Sequence, residues 1–142
     1  MSVTISTDAA LLDVGLIHRF LCDESGWANG IDRATVERSI RHSLCFGLYE
    51  DGAQIGYARV MTDYATSAHL CDVFIVAGQR GRGLSRQLIS AVVAHPGLQG
   101  LRRFSLASST ARGLYEKFGW TALSNPAIHM ERYNLDAYRE GR

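Results

Sequence analysis

The run of residues from Val73 to Ser85 constrains the fold of this chain more than any other. An apolar segment ends at a turn rich in glycine and arginine, and an apolar helical pattern begins directly afterwards at Leu84. Such a turn leaves backbone N–H groups unpaired at the positive end of a helix, where a phosphate binds well. The sequence therefore predicts a strand, a phosphate-binding turn and a helix in immediate succession.

Size and composition indicate one domain, residues 1–142, with a short polar tail from about residue 134. The net charge of +1 gives no general reason to expect nucleic acid or an acidic membrane surface as a partner. No apolar run approaches the roughly 20 residues of a membrane-spanning helix. The cysteines, Cys22, Cys45 and Cys71, show no metal-ligand spacing. We therefore expect a soluble, cytoplasmic protein with reduced thiols and no metal.

The hydrophobic pattern predicts strands and helices in the order βααβββαβαββ. Strands are expected at 3–5, 43–50, 54–63, 69–76, 101–107, 120–124 and 128–133, and helices at 9–21, after Asp32, at 84–95 and from about 110 to 118. Asp8 and Asp32 are suitable N-caps, and Asp51-Gly52 between apolar runs is a strong hairpin signal. Strands alternating with helices indicate an α/β or α+β fold layered around one sheet.

That order, the turn at 80–83 and the later run from Leu114 to Trp120 (Leu-Tyr-Glu-Lys-Phe-Gly-Trp) together resemble the GNAT family of acetyl-coenzyme-A-dependent N-acetyltransferases. The resemblance covers about residues 2–133. It implies one mixed, largely antiparallel sheet of about six or seven strands, flanked by about four helices. It also implies transfer of an acetyl group from acetyl-coenzyme A (acetyl-CoA) to a primary amine, by direct attack in a ternary complex.

In this family the backbone amides of the turn hold the cofactor's pyrophosphate, and the preceding strand splays from its neighbour and bonds the pantetheine arm. The family's turn pattern fits here in two imperfect registers, with Gly78 in place of Gln or Arg in one and Ser85 in place of Gly or Ala in the other. We therefore expect the amides to matter more than either arginine. The resemblance assigns cofactor binding to Val73, Phe74, Ile75, Arg80, Gly81, Arg82, Gly83, Leu84, Ser85 and Ser108.

Two residues are candidates for proton transfer. Tyr115 matches the family tyrosine near the thioester sulfur, which is proposed to protonate the leaving thiolate; the alternative is a core tyrosine on an amphipathic helix. Asp72 lies on the strand where many members carry a carboxylate base. By strand alternation it would share a face with Leu70 and Phe74, where desolvation favours a base. The alternative is a structural aspartate that bonds the backbone at the splay.

The amine acceptor is expected near Trp27, in the loop between the first two helices, where this family builds a substrate lid. An aromatic ring there can cover an aliphatic or cationic acceptor. Asp63 and Tyr64 are further candidates for contact with the amine, as are His69 and His129, although turn or surface roles explain each of them as well. The acceptor, whether a small molecule or a peptide, is not identified by these residues.

Two other functions remain open at this point. One is an acyltransferase that uses a longer acyl donor, and the other is a non-catalytic module that binds acyl-CoA. A nucleic-acid-binding module is disfavoured, because the chain has no basic stripe with interleaved aromatic residues. The oligomeric state is open too, with a homodimer as a candidate.

Overall fold

A computed structural model describes residues 2–139 of the chain, and within them it contains five strands and four α-helices. In chain order these are β1 Val3–Ser6, α1 Val14–Arg19, α2 Arg33–Arg41, β2 Leu44–Glu50, β3 Ala53–Thr62, β4 Ser67–Ile75, α3 Leu84–Ala94, β5 Arg103–Leu106 and α4 Arg112–Glu116. The strands form one sheet in the order β1-β2-β3-β4-β5. Neighbours are antiparallel except β4 and β5, which are parallel. The prediction of a mixed, largely antiparallel sheet is confirmed.

Each face of the sheet carries a hydrophobic cluster covered by helices. One cluster includes Leu48 from the sheet, Leu88 from α3 and Tyr115 from α4. The other includes Ile17 from α1, Val36 from α2 and Phe74 from β4. Full burial of one such side chain contributes about 1.5–3 kcal/mol. The result is a three-layer α+β arrangement in which α3 and α4 lie on one face, and α1 and α2 on the other.

The first helix differs from the prediction of a continuous helix over 9–21. Asp8 caps only the short 3₁₀ turn Ala9–Leu11. Asp13 caps α1 by accepting a hydrogen bond from the backbone N–H of Leu16, and α1 then passes into a π-helical turn, Phe20–Glu24. Two aspartates in suitable positions compete as N-caps here, so the apolar pattern alone did not determine where the helix begins.

The predicted strands at 120–124 and 128–133 are wrong. After α4 the described chain forms only the 3₁₀ turn Pro126–Ile128. Trp120 packs against the α3–α4 cluster, but the large apolar side chains after it are exposed: Leu123, Ile128, Met130, Tyr133 and Leu135. Beyond them, in the tail for which no structure was predicted, Tyr138 packs against the α1–α2 cluster. A strand requires a neighbouring strand as well as an alternating pattern, and no strand pairs with these residues within 2–139.

A bulge in β4 reverses the alternation of its side chains. The β3–β4 register shifts between Tyr57 and Arg59, and Asp72 adopts a left-handed backbone with φ +54°. As a result Leu70 lies in the α3–α4 cluster and Phe74 in the α1–α2 cluster, so the prediction that they share a face is wrong. The cause is the extra residue of the bulge, which changes the face of everything after it.

The two parallel strands pair only over part of their length. Pairing runs from Ser67 opposite Arg103 to Leu70 opposite Leu106, whereas β4 continues to Ile75. The remainder of β4 pairs with β3 alone, so its other edge faces an opening between β4 and the chain after β5.

No helix within 2–139 is long and apolar enough to cross a membrane.

Candidate active site

The glycine-rich turn forms a concave cradle at the start of α3. Gly81 and Gly83 have φ of +81° and +73°, and Gly83 is the N-cap residue of the eleven-residue helix. A Cβ at either glycine would meet nothing within 4 Å in the described chain and would project into open space. A cavity of about 240 Å³ lies here, lined by Ile75, Gln79, Arg80, Gly81, Gly83, Leu84, Ser85, Arg86 and Leu114. These features fit the pyrophosphate of a coenzyme A group.

The two arginines of the turn are already engaged by the protein. Arg82 makes two hydrogen bonds to the carboxylate of Glu50, at 2.6 and 3.1 Å, and a third to Gln79. These bonds from Arg82 lower the pKa of Glu50. Arg80 folds back and donates from Nε to the carbonyl of Ile75 at 3.1 Å. With both arginines engaged, the backbone amides at the helix start are the groups left to bind an anion, and their role in the cradle stays a prediction. Arg86, which the sequence analysis did not select, lines the same cavity.

A second cavity, of about 470 Å³, lies beside α4 and β5. Tyr115 and Ser108 both line it. The ring of Tyr115 is 92% buried, since its exposed fraction is 8%, and burial raises the pKa of its hydroxyl. Ser108 Oγ accepts a hydrogen bond from the N–H of Ala111 at 3.0 Å, so this hydroxyl stabilises the turn that leads into α4. Leu114, next to Tyr115, lines the cradle cavity, so α4 contributes to both spaces.

Asp72 lies at the centre of a hydrogen-bonded network on the α1–α2 side of the sheet. Its Oδ1 accepts from Trp27 Nε1 at 3.0 Å, and its Oδ2 accepts from Arg59 Nε at 2.8 Å. Arg59 Nη1 in turn donates to Ser43 Oγ at 3.1 Å. The charged groups of Arg59 and Asp72 are mostly buried. Burial lowers the pKa of Arg59, but the charge and hydrogen bond of Asp72 outweigh it and raise the pKa above its usual value.

Trp27 is the exposed end of a line of aromatic rings. Its side chain is 53% exposed, and its ring lies 6.2 Å from that of Phe20. Phe20 stacks on Phe74 at 3.9 Å, and Phe74 contacts Tyr57 at 5.8 Å. The structure thus brings Trp27 and Asp72 into direct contact, which the sequence did not predict. Ser43, which completes the network, carried no sequence signal.

His69 lies at the closed end of the opening between β4 and β5. Its Nδ1 is 2.9 Å from Ser105 Oγ on β5, one position before the last paired residues. Burial, and to a lesser degree the charge of Arg59, lowers the pKa of His69, so the ring is neutral at pH 7. A neutral imidazole held across two strands is able to accept a proton.

The structure does not bring Asp63 and Tyr64 to this cluster. Both lie in the β3–β4 turn, at the end of β4 opposite the cradle. The carboxylate of Asp63 accepts hydrogen bonds from the backbone N–H groups of Ala65 and Thr66, and from the Thr66 hydroxyl at 2.6 Å. These bonds, above all the one from the hydroxyl, lower the pKa of Asp63. Its present contacts therefore stabilise the turn.

Comparison with known proteins gives consistent matches. A family model described as an acetyltransferase (GNAT) domain matches residues 11–131. The chain is 54% identical to a crystal structure from Xanthomonas campestris, assigned provisionally to the GNAT acetyltransferases, with a TM-score of 0.95 and 98% of each chain covered. It is 31% identical over 135 residues to a Gibberella zeae protein provisionally named acetyltransferase FG08082, covering 80% of this chain and 75% of that protein.

A more distant structure shares the fold. It comes from Clostridium acetobutylicum and is described as a predicted acetyltransferase with acetyl-CoA; it is 18% identical, with a TM-score of 0.66, and the match covers 93% of this chain and 95% of that one. The fold, the cradle and the similarity to known proteins together define the class of this protein, which is that of the acyltransferases. The chain belongs to the GNAT acetyltransferase family, which uses acetyl-CoA.

Proposed function

We propose that this protein transfers an acetyl group from acetyl-CoA to a primary amine. The observation that carries the proposal is the arrangement of the opening beside β4. The cradle lies at one end, and neighbouring residues of α4, Leu114 and Tyr115, line the cradle cavity and the larger cavity. In this proposal one extended ligand runs from the cradle along the unpaired edge of β4 towards Tyr115 on α4.

In this proposal different segments of the chain bind different parts of acetyl-CoA. The amides from Gly81 to Ser85 would hold the pyrophosphate at the positive end of α3. The backbone of Val73–Ile75 has no strand partner on its β5 side, although the Ile75 carbonyl accepts from Arg80, and it would bond the pantetheine arm. Ser108, whose oxygen already accepts one hydrogen bond, keeps its O–H free to donate. Holding two reactants in one orientation can supply about 7–11 kcal/mol of the barrier reduction.

Tyr115 would supply the proton for the departing thiolate. Burial raises the pKa of its hydroxyl, so the phenol stays protonated at neutral pH and is ready to donate. Within residues 2–139 its hydroxyl has no side-chain or backbone hydrogen-bond partner in the protein. The acid role and the packing of the ring in the core are therefore compatible.

Direct attack by the amine is supported by the state of the cysteines. Cys71 lies on β4, next to Asp72, but burial raises the pKa of its thiol to about 12. Burial raises the pKa of Cys45 as well, and the hydrogen bond that it accepts from Tyr57 only partly opposes this effect. Thiols that stay protonated are poor nucleophiles, so acetylation of Cys71 or Cys45 is not part of the proposal.

Two groups on the α1–α2 side could accept the proton of the attacking amine, Asp72 and His69. Asp72 was predicted from its strand position, but both of its oxygens already accept hydrogen bonds. His69 is neutral and is held by Ser105. The pH dependence of kcat separates them, since substitution of the true base removes the acidic limb of the profile.

The decisive experiment is release of coenzyme A thiol with a panel of primary amines and with acetyl, butyryl and octanoyl donors. We expect turnover with acetyl-CoA and at least one amine, and a loss of turnover in Tyr115→Phe. Preference for octanoyl-CoA would establish the longer-chain acyltransferase instead. Tight binding of acetyl-CoA without thiol release for any amine would favour the non-catalytic module. The oligomeric state stays open, and sedimentation can test whether the candidate homodimer forms.

A further inference from the structure

The network around Asp72 joins three separate parts of the chain at one carboxylate. Trp27 comes from the α1–α2 loop, Arg59 from β3 and Asp72 from the bulge of β4. Each oxygen of the carboxylate has its own donor, at 3.0 and 2.8 Å. The bulge, with its left-handed Asp72, is what turns this side chain towards the loop. A strained backbone of this kind persists only where surrounding contacts maintain it, and it is often found at functional sites.

Both oxygens of Asp72 are engaged by donors, and its carboxylate is the counter-charge of the Arg59 guanidinium. The Arg59 and Asp72 side chains are only 16% and 12% exposed, so loss of the Asp72 charge would leave Arg59 mostly buried without its partner. The same two hydrogen bonds are well suited to fix other groups. The geometry therefore separates Asp72 from the chemical step and connects it with the position of Trp27.

Trp27 is held by two contacts, although its side chain is only partly covered. The N–H edge of its indole is fixed by Asp72, and Phe20, stacked on Phe74, supports the ring from below. More than half of the side chain remains exposed. A loop residue that is restrained in this way loses little further entropy when a ligand stacks on it.

The indole lies beside the part of β4 that faces the opening. The pairing of β4 with β5 ends at Leu70. Asp72, the hydrogen-bond partner of the indole, comes two residues later. Arg59 and Asp72 form an ion pair with each other, so neither charge is left to bind a ligand. The indole of Trp27 is therefore the surface of this cluster that remains for recognition. An aromatic face attracts aromatic rings and cations.

We propose that Asp72 and Arg59 are positioning residues that hold Trp27 as a wall of the acceptor site, and that the acceptor is an amine carrying an aromatic or cationic group that stacks on the indole. This inference rests on the proposed acetyl transfer to an amine. Amines with an aromatic group and diamines share the same chemistry at the indole face, and separate arms of one assay distinguish them.

The kinetic test uses Asp72→Asn and Trp27→Ala, with 2-phenylethylamine, 1,4-diaminobutane and butylamine as acceptors. Asparagine tolerates the left-handed backbone, so it tests the charge rather than the strain. Asp51→Asn is the matched control, because Asp51 is also left-handed, with φ +52°, and lies in the β2–β3 hairpin. For Asp72→Asn we expect KM for the amine to rise about tenfold with kcat within about threefold, and no change in Asp51→Asn.

A base role would give the opposite result, a fall in kcat of about a hundredfold or more with the acidic limb of the pH profile lost and KM unchanged. That outcome would overturn the positioning role. We expect the wild type to prefer 2-phenylethylamine or 1,4-diaminobutane over butylamine. Trp27→Ala should abolish that preference. An unchanged preference would contradict the proposal that Trp27 is a wall of the acceptor site. The two substitutions combined should be no worse than the more severe one, since they remove one unit.

The hold of Asp72 and Arg59 on the indole of Trp27, called the clamp from here on, can also be tested by fluorescence, without any turnover. The chain has two tryptophans, so Trp120→Phe leaves Trp27 as the single tryptophan, which is excited at a wavelength that the tyrosines do not absorb. In that background Asp72→Asn should shift Trp27 emission to the red and increase acrylamide quenching, while Asp51→Asn changes neither. An unchanged spectrum in Asp72→Asn would refute the clamp. Absence of thiol release from the wild type with every amine would refute the proposed function instead, whatever the fluorescence shows.

Discussion

The cradle makes its sharpest prediction through Gly83. Alanine at φ +73° costs about 1–2 kcal/mol of backbone strain, and for a domain of this size that lowers Tm by about 3–8 °C. The added Cβ would meet nothing within 4 Å in the described chain, so the fold accommodates it. It would project into the space that the anion needs and hold a phosphate away from at least one amide. Loss of one hydrogen bond to a charged group costs about 1.5–3 kcal/mol, or roughly 10- to 150-fold in the Kd of coenzyme A.

Gly52 provides the matched control. It has φ +84° and open space around its Cβ position, but it lies in the β2–β3 hairpin. Gly52→Ala should therefore lose as much thermal stability as Gly83→Ala while binding coenzyme A like the wild type. Thermal unfolding without ligand and calorimetric titration with coenzyme A measure the two quantities separately. Equal coenzyme A affinity in both variants would show that the amides around Gly83 do not form the cradle.

Three further predictions follow from the described contacts. Tyr115→Phe should lower kcat by about 100-fold or more at unchanged coenzyme A affinity, whereas Tyr64→Phe should alter neither quantity; equal kinetics in the two variants would remove the acid role. Arg82→Ala should weaken coenzyme A binding by less than about threefold in a titration, because Arg82 is paired with Glu50 on the surface, and a loss of 100-fold would contradict a cradle built from amides. Hydrogen bonds hold the pKa of Asp63 below its usual value, so they stabilise the fold above about pH 4, and this contribution is lost as the pH falls through the lowered pKa. Tm measured from pH 5 to pH 2 should fall more steeply in the wild type than in Asp63→Asn, and parallel curves would contradict this.

The cradle was predictable because its determinants are local. An apolar strand, two glycines and a helical pattern follow one another within a few residues, and each acts on its own backbone. The hairpin was predictable for the same reason, since Asp51 and Gly52 adopt the left-handed conformations that this turn requires. Tyr115 came from the resemblance, and its burial beside a cavity is consistent with the role that the family gives it.

The environment of Asp72 was not predictable, because distant residues create it. Its face depends on a bulge that is set by the register with β3, and its partners, Trp27 and Arg59, lie 45 and 13 positions away. Alternation placed it among apolar side chains, where a base was a reasonable expectation. The two strands expected after α4 failed on similar grounds, since an alternating pattern does not reveal whether a neighbouring strand is present.

The contrast between a cradle of backbone and a clamp of side chains has a consequence for how this enzyme can change. Point substitutions that shorten a side chain, at Arg80, Arg82 or Ser85, leave the amides in place, so the proposed donor site would tolerate considerable sequence drift. The proposed acceptor wall rests on one indole, one carboxylate and one guanidinium, so a single exchange at Trp27 would reshape it. Acceptor preference can therefore diverge between related proteins in few mutational steps, while the acyl donor stays the same.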